Sequence, residues 1–147
     1  MNDTLHSNYV RDKRSPKPKS ETVSKVMRAN RPENTKPEIA LRKKLWQNGL
    51  SGYRLHYKKA AGKPDIAYVS KKIAIFVHGC FWHRCPDCDL PMPKTNIDFW
   101  EQKFRKNKER DERKIKELKT AGWKVFIIWE CQLKQQSEKL IRQLKKY

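Results

Sequence analysis

Residues 62–88 read GKPDIAYVSKKIAIFVHGCFWHRCPDC. Two apolar runs, 65–69 and 73–77, are separated by Ser70-Lys71-Lys72, a spacing that predicts a hairpin and therefore an antiparallel strand pair. The second run is apolar throughout, as expected of a central strand covered on both faces. Asp65 enters the first strand from a Gly-Lys-Pro turn. His78, His83, Cys80, Cys85 and Cys88 crowd the end of the second, beside the adjacent Phe81 and Trp82. Core packing does not require this mixture, which points instead to a metal site beside a structural zinc site.

Outward from this stretch, Tyr53, Leu55 and Tyr57 alternate with Arg54 and His56, predicting a strand over 53–57. Thr35-Lys36-Pro37-Glu38 has the form of a capping box with proline in the first turn. It opens a helix that carries Leu41 and Leu45 and stops near Gly49. Residues 97–121 have strong helical propensity, entered through Thr95 or Asn96 and closed by Gly122. Phe99, Trp100 and Phe104 lie in the first turns, and Ile115 and Leu118 dock the last. Residues 123–129 form a further buried-strand candidate which, following a helix, is expected to run parallel to its neighbour, with Cys131 just past its end. A final amphipathic helix presents Leu140, Ile141 and Leu144. Near the start, Ser20 can cap a short helix carrying Val23, Val26 and Met27, whereas residues 1–20 are nearly devoid of apolar side chains and read as a flexible basic arm. The order of elements predicts an α/β domain over 21–147, a mixed β-sheet flanked by helices.

The chain has 147 residues, enough for one domain, and its 35 basic against 16 acidic side chains leave a formal charge of +19. Such an excess calls for a polyanionic partner, and nucleic acid fits best because neutralised phosphates release counterions. A membrane role is disfavoured: no run approaches the roughly 18 apolar residues of a spanning helix, and no signal-like core begins the sequence. The four cysteines, Cys80, Cys85, Cys88 and Cys131, could form two disulfides or hold one zinc ion. Nothing indicates export to an oxidising compartment, and Cys85-x-x-Cys88 has the step of a zinc knuckle, so zinc is the preferred reading.

The motifs VMRAN, NTKPE, GKPD, IFVHGCFWH, DFW, NKERD and GWKVFIIWEC, in this order over about residues 22–133, resemble the very-short-patch repair (Vsr) DNA mismatch endonucleases. The resemblance implies a restriction-endonuclease-like core and a Mg2+-dependent enzyme that nicks one strand of duplex DNA at T:G mismatches left by deamination of 5-methylcytosine. It implies metal binding by Asp65 and the main-chain carbonyl of Val77, water activation by His83, a role for His78 near the scissile phosphate, and support of metal waters by Glu38. It assigns Cys80, Cys85, Cys88 and Cys131 to Zn2+, Phe81, Trp82 and Trp100 to an aromatic wedge in the base stack, and Met27 to the minor groove. Lys103 and Asn107 share a helix face with Trp100, which aims them at the same groove. As partners it implies mismatched DNA, with functional links to a cytosine methyltransferase and mismatch-repair factors. A monomer in a prokaryotic cytoplasm, associated with the nucleoid, is expected.

Each residue also has a plainer reading. Asp65 could be a solvated turn aspartate, His83 a zinc ligand, His78 a structural hydrogen bonder and Glu38 only a helix cap. The aromatics and Met27 could be core residues, and the charged helix a solvated face. Two rival functions follow: a nuclease of the same fold with other specificity, or a zinc-dependent DNA-binding module without catalysis.

Overall fold

The computed structural model describes residues 33–147, so the expected basic arm, the helix capped by Ser20, and Met27 lie outside the described residues. Helix α1 (Lys36–Gln47) starts as its sequence requires: the Thr35 side chain accepts from the Glu38 N–H at 3.4 Å, and Pro37 occupies the first turn. The Glu38 carboxylate accepts from the Asn34 N–H at 3.0 Å, one residue ahead of the position a capping box would use.

The sheet has strand order β1-β2-β3-β4, with β1 (Arg54–Leu55), β2 (Ile66–Tyr68), β3 (Ile73–His78) and β4 (Lys124–Trp129). The β1/β2 and β2/β3 pairs are antiparallel and the β3/β4 pair is parallel. Central β3 explains its own composition by the two-residue period of a strand. Ile73 and Ile75 enter a core with Leu41 and Leu45 of α1 and with Leu140 and Leu144 of the last helix, α4 (Leu133–Leu144). Ala74 and Phe76 face the opposite layer, where Leu118 of the long helix α3 (Ile97–Thr120) packs.

Two expectations are corrected. The strand expected over 53–57 shortens to β1, whose Arg54 and Leu55 are both exposed: no layer covers this edge, and His56 leaves the strand at φ 48°. The strand expected to be buried at 123–129 is an edge strand, with Ile128 its one buried residue, because only its β3 side is paired among the described residues. Four residues between β3 and the cysteine loop, Cys80–His83, form a single helical turn, α2, too short to leave a periodic signal. Among the described residues no helix is long and apolar enough to cross a membrane.

Candidate active site and cysteine cluster

Asp65 sits immediately before β2, half-buried. Its Oδ2 accepts from the Val77 N–H at 2.8 Å, which leaves Oδ1 free. The β2/β3 register pairs Ile66 with Ile75, and continuing it sets Val77 opposite Pro64. Proline has no N–H to offer the Val77 carbonyl, so the sequence itself keeps that oxygen available beside Asp65. Burial pushes the Asp65 carboxyl up to about 6, reinforced by the charge of Glu38, while the Val77 hydrogen bond and the proximity of His83 act the other way.

His78 ends β3 and is buried; His83 ends α2. Their rings stack at 3.8 Å with planes 5° apart. His83 Nδ1 lies 2.5 Å from Oδ2 of Asp111 on α3. Burial of Asp111 would raise its carboxyl, but the hydrogen bond and charge of His83 bring it below the usual range. Asp111 is thus the acceptor and Nδ1 carries the proton, so Nε2 of His83 is left to accept another. Burial, with the adjacent His83, pushes His78 down to about 4, and its Nδ1 has no hydrogen-bond partner.

A third group joins Glu38, His56 and Asp65. Glu38 is 2% exposed and is held by the Arg42 guanidinium at 3.1 Å, yet its carboxylate still reaches this group. Glu38 thus accepts from the Asn34 N–H at the helix start and belongs to this group at the same time. Asp111, Arg42 and His56 were not singled out by sequence reasoning. Asp111 closes the NKERD motif four residues after Asn107, and Arg42 follows Glu38 by four. That helical spacing was the available signal in both cases.

Cys80, Cys85, Cys88 and Cys131 place their sulfurs within 4.8 Å of one another. The parallel β3/β4 pair brings this about: His78 is in register with Trp129, so both strands exit at the same end of the sheet and deliver Cys80 and Cys131 together. The thiols are free, and Cys85 Sγ lies 3.7 Å from Cys131 Sγ. A zinc tetrahedron with bonds near 2.3 Å has sulfur–sulfur edges of about 3.8 Å, so the spacing fits a metal rather than a disulfide. The Cys131 thiol is pushed up to about 11, first by hydrogen bonding to Cys88 and then by burial.

Phe81, Trp82 and Trp100 form one aromatic cluster with Phe104; Phe81 lies 5.0 Å from Trp82 and 5.6 Å from Trp100. Phe81 and Trp82 are half-buried, whereas Trp100 is only 8% exposed and stacks on Phe104. Lys103 is half-buried on α3. Asn107 turns inward, its side-chain amide donating to the Trp82 carbonyl at 3.2 Å while its oxygen accepts from Arg110.

A half-buried strand-entry carboxylate, a carboxylate-bound histidine with a free nitrogen and a strongly basic chain are the groups that hydrolysis of a polyanion calls for, as in the class of the nucleases. The family model of the DNA mismatch endonuclease Vsr matches residues 16–90. The chain is 41% identical over 109 residues to the type II nicking enzyme V.XorIIP of Xanthomonas oryzae pv. oryzae, across 74% of this chain and 79% of that protein. It is 41% identical over 121 residues to the type II nicking enzyme V.NmeAIP of Neisseria meningitidis, across 77% and 84%. It is 40% identical over 113 residues to the DNA mismatch endonuclease Vsr of Escherichia coli, across 77% and 72%. The chain belongs to the Vsr family of DNA mismatch endonucleases.

Proposed function

We propose that the protein nicks one strand of duplex DNA at T:G mismatches, on a restriction-endonuclease-like core, with Mg2+ held by Asp65 Oδ1 and the Val77 carbonyl. The observation that carries this reading is a carboxylate with one free oxygen that feels the charge of His83, itself paired with Asp111 and left with one free nitrogen. When bound, the cation supplies Lewis acidity at the scissile phosphate and makes water a better nucleophile. Asp111 holds the proton on His83 Nδ1, so that Nε2 takes the proton of the attacking water. His78, kept neutral by burial, retains a ring N–H to donate to a phosphate oxygen. Glu38 orients waters around Asp65, and Lys103 meets the DNA backbone.

Phe81, Trp82 and Trp100 would enter the stack where pairing is weak, since unstacking costs a few kcal/mol per step and each aromatic contact returns about 1–3 kcal/mol. Because Trp100 is buried, Phe81 and Trp82 would lead and Trp100 would support them. The four cysteines hold Zn2+ and thereby fix α2, which carries Phe81, Trp82 and His83. Purified protein is expected to carry about one equivalent of zinc by elemental analysis. Folded, active protein without zinc would refute this site. The same reading makes the enzyme a monomer acting on the nucleoid, downstream of a cytosine methyltransferase whose product deaminates to thymine opposite guanine.

The test is nicking of T:G, T:A and branched duplexes under Mg2+. One-strand cleavage confined to T:G is expected. Equal cutting of all three would mark a nuclease of other specificity, and unchanged nicking by Asp65→Asn would remove the catalytic assignment.

A further inference from the structure

Beside the catalytic carboxylate lies a side chain that the reaction above does not use. His56 follows β1 in a left-handed conformation, φ 48°, and its N–H donates to the Asp65 carbonyl at 3.1 Å, so its backbone is fixed to that of Asp65. Its ring is enclosed by charge from α1 and from the segments that precede α1 and β2. Nε2 lies 3.2 Å from Arg42 Nη2 and 3.7 Å from Glu38 Oε2, both on α1. Nδ1 lies 3.9 Å from Asp65 Oδ1 and 4.0 Å from Glu33 Oε1.

Arginine has no acceptor, so in the 3.2 Å contact the guanidinium donates and His56 Nε2 accepts. The ring proton is then on Nδ1, the nitrogen that faces Asp65. The Arg42 guanidinium also grips Glu38 and, at 16% side-chain exposure, is itself held within the fold. One guanidinium therefore fixes both the Glu38 carboxylate and the tautomer of His56.

We propose that His56, locked by Arg42, is a positioning residue of the Asp65 cation site: its Nδ1–H and the Val77 N–H bracket the carboxylate and hold Oδ1 toward the cation. At 3.9 Å the Nδ1–Oδ1 approach is too long for a direct hydrogen bond and has the span of a donor sharing a water with the carboxylate. Histidine as a direct metal ligand is disfavoured, because the nitrogen turned to Asp65 is the protonated one. The inference rests on the reading of Asp65 as a metal ligand, and its test separates the two.

Mn2+ binding to the full-length protein, followed by the electron paramagnetic resonance of free Mn2+, is the direct measurement. His56→Ala, and His56→Phe as a ring without nitrogens, are expected to weaken Mn2+ about tenfold or more, the usual effect of removing a group that orients a ligand. His56→Gln should restore affinity to within about threefold, because its oxygen accepts from Arg42 and its amide donates toward Oδ1. Arg42→Met should resemble His56→Ala. In nicking assays the KM for metal should rise while kcat at saturating metal returns toward the native value, a split that loss of fold does not produce. Native Mn2+ affinity in His56→Ala or His56→Phe, with Asp65→Asn unable to bind, would overturn the role of His56 alone. Equal loss in His56→Gln and His56→Phe would overturn the hydrogen-bonding role. Unchanged binding in Asp65→Asn would overturn the metal reading itself, and this inference with it.

Discussion

Asp65 and His78 are held in states that oppose each other in pH. The folded-state pKa of Asp65 is raised from 3.8 to about 6, so its favourable contribution is complete below 3.8 and is lost as pH rises through 6. For His78 it is depressed from 6.5 to about 4, so stability is present above 6.5 and is lost as pH falls toward 4. In metal-free protein at neutral pH the ionised Asp65 is therefore a standing cost, one that the proposed cation would offset. Asp65→Asn is expected to stabilise the metal-free protein near pH 8 by on the order of 2 kcal/mol and to give little advantage near pH 4. It should also abolish the thermal stabilisation by Mg2+. Thermal denaturation at both pH values checks this, and a variant less stable than the native protein at both would contradict it. In the proposed mechanism Asp111 acts through His83 by fixing its tautomer, so Asp111→Asn should reduce kcat by about 10²-fold or more while leaving DNA affinity near native. A matching loss of affinity in binding assays would move Asp111 from proton transfer to DNA recognition.

Among the elements, α3 presents two faces to two tasks. Asn107, buried, holds the carbonyl of Trp82, while Arg84 lays its guanidinium 4.6 Å from the Phe104 ring centroid; together these tie α2 to α3. Asn107→Ala leaves the Trp82 carbonyl without this donor and is expected to cost about 1–3 kcal/mol of stability. It should also reduce discrimination between T:G and T:A. Lys103→Ala should leave the melting temperature unchanged and weaken binding to both duplexes alike, as a phosphate contact does. If the two variants behave identically, the division of faces is wrong. The same division explains what the sequence revealed. The β2/β3 hairpin and α3 were legible because apolar periodicity and turn residues report directly on burial and reversal. Asp111, Arg42 and Asn107 were obscured because a charged or polar residue that turns inward looks, in sequence, like one that faces water. His56 was read as one polar position in an alternating strand, since its conformation at φ 48° leaves no mark in composition. Strand β1 was over-read for a related reason: alternation signals a pleat but does not say that anything covers it.

At the scale of the molecule, the parallel β3/β4 pair gathers chemistry at one end of the sheet. His78 and Trp129 lie side by side, the cysteines follow, and α2 is suspended between the cysteine cluster and α3. Two energies of different origin then act on DNA. The +19 charge supplies a long-range attraction through counterion release, with log K falling by about 0.9 per phosphate neutralised for each unit of log salt. In the proposed function the cluster of Phe81, Trp82 and Trp100 would add short-range stacking, which does not depend on counterions and would test whether a base step opens. Raising the salt concentration should therefore weaken binding to T:G and T:A duplexes with the same steep slope and leave their affinity ratio constant. Measuring both binding constants across a salt series distinguishes the two sources. A ratio that collapses with salt would mean that recognition is electrostatic, with the basic face of α3 rather than the aromatic cluster selecting the mismatch. A constant ratio that Trp82→Ala brings toward unity would locate selectivity in the ring that the cysteine loop and Asn107 hold in place.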